Sequence, residues 1–305
     1  MKDFAGKIAV ITGGGTGMGR ELARQLIAEG CDVAFCDVSE ANMQETLALC
    51  QAEAPQGIRM TTYPCDVSNA DEMNDFAEHV RSAFDTDHIN LLFNNAGIAG
   101  GGGFVKEDRE DWERTFNVCW GGVYNGARSF MPLLIASSEG HIINTSSING
   151  FWASAGPNAS HTAYSAAKFA VKGFTEALVT DLRLNAPHVL ASVVMPGHIG
   201  TSIILNGTSR GDDEGRATVA RMLGMNVDEM SDADVEAAMS AAGTAFRDNA
   251  PTTAAAAATI ILDGVKAERW RILVGEDAES LDQRVRAAPE EAYEPAFVGL
   301  GVDLN

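Results

Sequence analysis

The sequence has few basic side chains and no long apolar run. Lys and Arg number 22 against 42 Asp and Glu, so the formal net charge is −20 over 305 residues. This balance argues against a nucleic-acid backbone or an anionic membrane surface as the partner. No apolar stretch approaches the roughly 20 residues that a membrane-spanning helix needs. Because the first apolar strand follows so soon after the N-terminus, we expect no signal peptide.

The cysteines are not spaced for a metal site or a disulfide framework. Their number is odd and no CxxC pair occurs. We therefore expect buried free thiols in a reducing cytoplasm, and no bound metal. The five are Cys31, Cys36, Cys50, Cys65 and Cys119.

Near the N-terminus lies a glycine-rich turn between two short apolar strands, with an amphipathic run after it. Gly13 can adopt backbone angles that a Cβ would forbid, and Gly17 and Gly19 allow a pyrophosphate to approach the start of the helix. Asp37 ends the second strand 18 residues after Gly19, close to where an acid that binds an adenosine ribose is expected. A carboxylate there repels a 2′-phosphate, so the pattern favours NAD over NADP. A turn in an ordinary α/β protein is the other interpretation, and the flanking strand, helix and acid argue against it.

Strands and helices alternate along most of the chain, which is typical of a parallel sheet with helices on both faces. No linker divides it, so we expect one domain over 1–305. Two regions interrupt the alternation. Residues 198–250 predict a lid, within which Ser231 and Asp234 resemble a capping box that begins a helix. Residues 276–305 form an acidic C-terminal extension that either packs on a neighbouring subunit or frays; the sequence leaves both open.

Tyr164 and Lys168 carry the strongest catalytic signal. They are four residues apart in a predicted helix at 162–185, so they share a face. An ammonium group beside a phenol lowers a pKa that starts near 10, and the phenol then becomes a competent acid/base. Ser147, at the end of the fifth strand, could hold a substrate oxygen. Asn117, in a long helix predicted at 110–137, could anchor a water that relays protons toward Lys168.

These motifs, in this order, resemble the classical short-chain dehydrogenase/reductase family. The resemblance covers about 7–274 and includes Asp66-Val67, Asn94-Asn95-Ala96-Gly97 and Pro196-Gly197-x-x-x-Thr201. It implies a doubly wound Rossmann fold with a seven-stranded, mainly parallel sheet in the order 3-2-1-4-5-6-7. It also implies a homodimer or homotetramer formed through the helices at 110–137 and 162–185.

The same resemblance assigns roles by position. Tyr164 is the acid/base, Ser147 the substrate clamp, and Lys168 binds the nicotinamide ribose, with Asn117 completing a tetrad. Ser147 is preferred to Ser146. The 152–161 segment is longer than the family usually has and is predicted to bulge over the pocket. The cofactor-binding set is Gly13, Thr16, Gly17, Met18, Gly19, Asp37, Asp66, Val67, Asn94, Ala96, Gly97, Tyr164, Lys168, Pro196, Gly197, Ile199 and Thr201.

The predicted function is NAD-dependent transfer of a hydride between the nicotinamide and a secondary alcohol or ketone. One alternative is an NADPH-dependent ketone reductase, which Asp37 argues against. Another is a cofactor-sensing protein without catalysis, which the presence of Tyr164 and Lys168 argues against. His161 and His198 are expected to pack or to lie at the surface. The predicted pocket walls suggest a bulky apolar or aromatic substrate and are Phe151, Trp152, Met195, Ile203, Ile204 and Leu205.

Overall fold

The computed structural model describes residues 1–100, 103–105, 108–154, 160–208 and 231–297. Its N-terminal half alternates strands and helices as predicted. A π-helical turn, Asn117–Gly121, joins the last two helices of this half. The elements in chain order are β1 (Ile8–Thr12), α1 (Gly17–Ala28), β2 (Asp32–Asp37), α2 (Glu40–Glu53), β3 (Met60–Pro64), α3 (Ala70–Phe84), β4 (Leu91–Asn94), α4 (Arg109–Phe116) and α5 (Gly122–Ala136).

The C-terminal half continues the alternation and adds the predicted lid. A short 3₁₀ turn, Ile148–Gly150, follows the fifth strand. The elements are β5 (Gly140–Thr145), α6 (Thr162–Asn185), β6 (Val189–Pro196), β7 (Ile199–Gly200), α7 (Ile203–Thr208), α8 (Asp232–Asp248), β8 (Thr252–Thr253), α9 (Ala254–Lys266), β9 (Arg271–Val274) and α10 (Glu276–Ala287).

The main sheet has seven strands in the order β3-β2-β1-β4-β5-β6-β9, and every neighbouring pair is parallel. This confirms the predicted order. The seventh strand of the sheet is β9 because the short parallel pair β7–β8 forms a sheet of its own in the lid region. The strand order reverses between β1 and β4, and ligands of doubly wound sheets bind at the carboxyl ends of the strands at such a reversal.

Helices cover both faces of this sheet. One hydrophobic cluster places α1 and α9 against one face. The other places α3, α5 and α6 against the opposite face, where the rings of Phe76 and Phe130 meet edge to face with centroids 5.4 Å apart. Burial on both faces explains why the central strands read as nearly continuous apolar runs. The packed layers hold the strand ends in fixed positions around the crevice.

The lid region is described on both sides of a gap. The Ser231 hydroxyl accepts a hydrogen bond from the Asp234 main-chain N–H at 3.3 Å, so the predicted capping box does begin α8. α7 packs against α8, where a Cβ on Gly243 would lie within 2.7 Å of Leu205 Cγ. The middle of the predicted lid, 209–230, lies outside the described residues.

The C-terminal extension packs against its own subunit as far as Phe297. The Trp152 indole N–H donates to the main-chain oxygen of Ala292 at 2.7 Å, and the Tyr293 hydroxyl accepts from Ala153 N–H at 3.1 Å. The rings of Trp152 and Phe297 lie 5.9 Å apart. The extension therefore supports the segment that follows Ser147, rather than fraying. Residues 298–305 lie outside the described part.

Candidate active site

The glycine turn after β1 forms a cradle that side chains would fill. Gly13 has φ +68°, and a Cβ on it would lie 2.8 Å from Ala96 Cα. Gly17 has φ +54°, and its Cβ would lie 3.1 Å from Thr201 Cγ2. Both positions therefore need glycine, for conformation and for space. They also bring three segments together: the turn itself, the end of β4 and the start of the lid.

The start of α1 is open to an anion. Thr16 is its N-cap residue, yet no side chain caps the helix, and its first turn carries no acidic residue. The N–H groups of Gly17, Met18 and Gly19 therefore have no side-chain acceptor, and the helix dipole favours negative charge there. The Thr16 hydroxyl accepts a hydrogen bond from Asn206 Nδ2 of α7 at 3.1 Å. This end of the helix fits a pyrophosphate.

Asp37 lies beside the cradle, as the sequence predicts. Its Oδ2 accepts from Gly15 N–H and its Oδ1 from Ser39 N–H, both at 3.0 Å. Each carboxylate oxygen has lone pairs left for a ribose hydroxyl. Arg20 does not offer a free cation for a phosphate, because its guanidinium donates to the main-chain oxygen of Gly15 at 2.8 Å and pairs with Glu45 at 2.7 Å. Arg20 in turn holds the pKa of Glu45 below its usual value.

The ends of β1 and β4 are held together by polar contacts that the predicted site set left out. The Thr12 hydroxyl accepts from the N–H groups of Asn95 and Ala96 at 3.0 and 3.1 Å. Asn95 Nδ2 donates to the main-chain oxygens of Thr12 and Gly13 at 3.1 and 3.3 Å. Thr12 and Asn95 belong to the motifs themselves, so motif membership was the available signal. They set the position of Ala96 against Gly13.

Asn94 connects the central strand to the catalytic helix. Its Nδ2 donates to Asn144 Oδ1 at 2.8 Å, and Asn144 Nδ2 donates to the Thr175 hydroxyl on α6 at 3.0 Å. All three side chains are buried, and buried polar networks fix geometry when their members are paired. Asn94 is therefore a supporting residue rather than a group that faces the crevice.

Asp66 and Val67, which the resemblance assigns to the adenine, lie just beyond β3. Asp66 Oδ1 accepts from Ser68 N–H at 2.9 Å, and the main-chain oxygen of Val67 accepts from Asn125 Nδ2 at 3.0 Å. These bonds fix the turn.

The 196–201 turn connects β6 with the lid. Its Gly197 has no room for a Cβ against the Asp277 carboxylate, which accepts from His198 N–H at 2.7 Å. Ile199 is buried, and Thr201 lies against Gly17. The assigned cofactor residues Pro196, Gly197, Ile199 and Thr201 thus form one turn beside the cradle.

Tyr164, Ser147 and Lys168 form one group at the end of β5. The Ser147 hydroxyl lies close enough to the Tyr164 phenol to lower the pKa of that phenol. Lys168 Nζ lies 5.3 Å from the centre of the Tyr164 ring and donates to the main-chain oxygen of Thr145 at 2.9 Å. A Cβ on Gly97 would lie 3.6 Å from Lys168 Nζ, so the group adjoins the strand end that carries Ala96. The glycine cradle and the acid/base group are therefore neighbours.

Burial dominates the protonation of this group. It raises the pKa of Tyr164, an effect that Cys119 reinforces and the Ser147 hydrogen bond opposes. It lowers the pKa of Lys168, which Cys119 opposes. The sequence predicted that Lys168 lowers the pKa of the phenol; in the structure burial is the largest influence on that pKa and raises it. The protonated phenol is the favoured state.

The two adjacent serines make different contacts in the structure. The Ser146 hydroxyl donates to the main-chain oxygen of Lys168 at 2.7 Å, and its exposed fraction is 1%. Ser147 instead lies against Tyr164 and caps the 3₁₀ turn by accepting from Asn149 N–H at 3.2 Å. Asn149 Nδ2 in turn donates to the main-chain oxygens of Trp152 and Ser154, at 3.1 and 2.7 Å.

The structure does not bring Asn117 to this group. Its side chain is exposed, whereas Cys119, two residues on in the π-helical turn, is fully buried. A Cβ on Gly97 would lie 3.8 Å from Cys119 Sγ, and the thiol donates to the main-chain oxygen of Ile98 at 3.5 Å. Residues two apart on a helix point to different faces. Cys119 therefore holds the place beside Lys168 that the sequence analysis gave to Asn117.

One predicted pocket wall, Trp152, has a different place in the structure. Trp152 is not free to line a pocket, because it is buried against the C-terminal extension with Ala278 and Leu281. An aromatic row that the sequence analysis did not single out lies at α4 instead. Trp112 stacks on Phe116 at 5.5 Å, its neighbour one turn along, and meets Phe104 edge to face at 6.2 Å. The five cysteines are free and buried.

Two negative findings apply to the part of the chain that the structure describes. There, no helix combines the length and apolar character needed to cross a bilayer. In the same ranges, no group of His, Cys, Asp and Glu side chains is arranged to hold a metal ion.

Comparison with known proteins agrees with this geometry. The short chain dehydrogenase family model matches residues 7–210. SadH of Mycobacterium tuberculosis is 35% identical over 290 residues, which cover 94% of this chain and 92% of that protein. A short chain dehydrogenase/reductase from Burkholderia phymatum, solved in complex with NAD, superposes with TM-score 0.78 at 28% identity, covering 97% of this chain and 98% of that chain. A metagenomic short-chain oxidoreductase in complex with NADP gives TM-score 0.56 at 30% identity, covering 64% and 83%.

The fold and site together define an oxidoreductase built to use a nicotinamide nucleotide on a small molecule. The cradle, the uncapped helix and the ribose-side carboxylate all fit such a nucleotide. The chain belongs to the short-chain dehydrogenase/reductase family.

Proposed function

We propose that this protein is an NAD-dependent oxidoreductase that moves a hydride between the nicotinamide and a secondary alcohol or ketone. One observation carries the proposal: Tyr164, Ser147 and Lys168 form one group next to the glycine cradle, with Lys168 Nζ 5.3 Å from the centre of the Tyr164 ring. When bound, the nicotinamide supplies or accepts the hydride. The chain's own residues handle the proton and the reacting oxygen.

Tyr164 is the proton donor and acceptor. Because burial keeps its phenol protonated, it can give its proton to a ketone oxygen as negative charge develops there, and it takes the proton back from an alcohol. The Ser147 hydroxyl stabilises the same oxygen from a fixed position. Lys168, held by Thr145, supplies positive charge beside the phenol and would bind the nicotinamide ribose.

The contacts of Asp37 and Arg20 favour NAD over NADP. The Asp37 carboxylate would accept hydrogen bonds from ribose hydroxyls and would repel a phosphate there. Arg20, the nearby cation, is already paired with Glu45. The relative from Burkholderia phymatum was solved with NAD, which agrees with this choice, whereas the metagenomic relative carries NADP.

A bulky apolar or aromatic substrate is favoured by the surface beside the site. Trp112 and Phe116 line one side of α4, and the Trp112 indole N–H donates to the Thr162 hydroxyl at 3.0 Å, two residues before Tyr164. Phe104 leaves 74% of its surface exposed next to Trp112. An apolar molecule that reaches the phenol would cover part of this exposed surface.

The decisive experiment replaces Tyr164 by Phe. A panel of secondary alcohols with NAD, followed by NADH absorbance, should show turnover for the wild type and a loss of about a thousandfold or more in the variant. NADH binding, measured by fluorescence, should change by less than about threefold. Tyr124→Phe, at an exposed tyrosine of α5, is the matched control. Full activity in Tyr164→Phe would refute the catalytic role.

The two alternatives give different results in the same panel. An NADPH-dependent ketone reductase would bind NADPH more tightly than NADH. A cofactor sensor would bind NADH and turn over no alcohol or ketone. Self-association through the α4–α5 and α6 helices stays a prediction, to be measured as mass in solution by light scattering.

A further inference from the structure

His161 is a buried polar side chain that the proposed reaction does not use. Its ring stacks on the ring of Tyr164, with centroids 4.5 Å apart and planes 4° from parallel. The exposed fraction of His161 is 9%. Neither ring nitrogen has a hydrogen-bond partner among the residues the structure describes, and the side chain does not cap α6 although it stands at the N-cap position.

The other two buried histidines have hydrogen-bond partners. His141 Nε2 is bonded to the Ser192 hydroxyl at 2.7 Å, and His198 Nε2 donates to the main-chain oxygen of Phe246 at 2.7 Å. Each has at least one partner, as buried polar groups normally do. A buried imidazole with both nitrogens unpaired costs folding free energy. Such a group at a site points to a partner that arrives with the ligand.

The chemistry of the ring defines what that partner can be. Burial lowers the pKa of His161 to about 4, so the imidazole is neutral near pH 7. A neutral imidazole offers one N–H donor and one nitrogen acceptor. It therefore suits an uncharged oxygen group, a hydroxyl or a carbonyl, better than a carboxylate or an ammonium.

An aromatic surface lies next to this ring. The residue after His161, Thr162, is bonded to Trp112, which places the aromatic row of α4 beside it. A molecule whose reacting oxygen meets Tyr164 would thus come within reach of His161, which stacks on that ring, beside an aromatic surface.

We propose that His161 is a substrate-recognition residue that hydrogen-bonds to a second, uncharged oxygen of a bulky apolar or aromatic alcohol or ketone. The proposal rests on the proposed function, in which Tyr164 takes the reacting oxygen. The preferred substrate class is therefore a hydroxyketone, diketone or diol with an aromatic or similarly bulky body, rather than a simple ketone.

The test compares benzoin with deoxybenzoin, which has the same skeleton without the hydroxyl. With NADH, the wild type should reduce benzoin with a kcat/KM roughly tenfold or more above that for deoxybenzoin. In His161→Phe, which keeps a ring to stack on Tyr164, this preference should fall to near one. The deoxybenzoin rate should change by less than about threefold, and the pH profile of kcat near neutrality should not move, because the ring is neutral there.

A binding measurement decides the question even if neither ketone is turned over. In protein labelled with ¹⁵N in its histidines, the His161 ring signals are those missing from His161→Phe. Adding benzoin to the NADH-loaded wild type should shift them, and deoxybenzoin should not. Unchanged signals, or an equal loss of both rates in His161→Phe, would overturn the proposal and leave only a stacking role.

Stability gives a third readout. Because the substitution removes an unpaired buried polar group, His161→Phe should melt no lower than the wild type; a clear drop would show that the ring nitrogens already have partners. The proposed function is judged separately by Tyr164→Phe, since benzoin preference and NMR shifts at His161 do not require that variant to be inactive.

Discussion

The Ser146 hydroxyl donates a hydrogen bond to the main-chain oxygen of Lys168 at 2.7 Å. It thereby ties the end of β5 to the helix that carries the acid/base pair. A Cβ on Gly150 would lie 2.9 Å from the same oxygen, so the 3₁₀ turn and α6 are also in close contact there. Ser146 belongs to the support of the site, and Ser147 faces the phenol.

Alanine at the two serines should separate these roles. Ser147→Ala should lower kcat by about a hundredfold or more, because it removes a fixed donor to the reacting oxygen, with little change in stability. Ser146→Ala should lower the free energy of unfolding by about 1 kcal/mol, since it removes a buried hydrogen bond, and change kcat by less than about tenfold. Steady-state rates and urea unfolding measure both. Equal effects on kcat would refute the assignment.

Leucine substitutions at Asn117 and Cys119 should test which of the two lies beside Lys168. Cys119→Leu adds volume in a fully buried position next to the ammonium and should lower kcat more than about tenfold by displacing it. Asn117→Leu, at an exposed position, should leave kcat within about twofold. Melting temperatures check that both variants are folded. If Asn117→Leu is the inactive variant, the tetrad role first given to Asn117 stands.

Removing the charge of Asp37 should weaken selection for NADH. Asp37→Asn keeps the size but loses charge-assisted hydrogen bonds, so NADH affinity should fall by about ten- to a hundredfold while NADPH binds as well as before or better. Dissociation constants from fluorescence titration give the ratio. Asp87→Asn, at a side chain 90% exposed, is the control and should alter neither. Tighter binding of NADPH by the wild type would contradict the NAD assignment.

Acidification should destabilise the protein through its buried histidines. Burial lowers the pKa of His141 to about 4 from an ordinary 6.5, so below about pH 6.5 the unfolded chain takes up a proton that the folded chain refuses. Through His141 alone, the free energy of unfolding should therefore fall by about 2 kcal/mol between about pH 7 and pH 5. Over the same pH interval, the free energy of unfolding of His141→Gln should fall by about 2 kcal/mol less than that of the wild type. Urea unfolding at both pH values measures it, and an unchanged slope would contradict the shift.

The glycine cradle could be predicted because it depends on a local pattern, whereas the strand order followed from the family resemblance. The turn needs glycine at Gly13 for its backbone angles, and Tyr164 and Lys168 are placed by the pitch of a single helix. The choice of Ser147 over Ser146 as the substrate clamp came from its spacing to Asn149 and stays a prediction.

The remaining features depend on packing that spacing does not reveal. Whether Asn117 or Cys119 faces Lys168 depends on the position of each around the helix axis, and a π-helical turn changes that position. The pKa of the Tyr164 phenol depends on its burial, which a four-residue spacing cannot show. The bond from Trp152 to Ala292 joins residues 140 positions apart, and the stacking of His161 on Tyr164 depends on how the chain enters α6.

The C-terminal extension has a consequence for how this enzyme can diversify. Proton transfer depends on α6 and the end of β5, whereas the stretch that follows Ser147 is braced by Ala292, Tyr293 and Phe297. Changes at 292–297 can therefore alter the stretch that follows Ser147 while the groups at the end of β5 and on α6 stay where they are. Selectivity and chemistry are free to evolve on separate parts of one polypeptide.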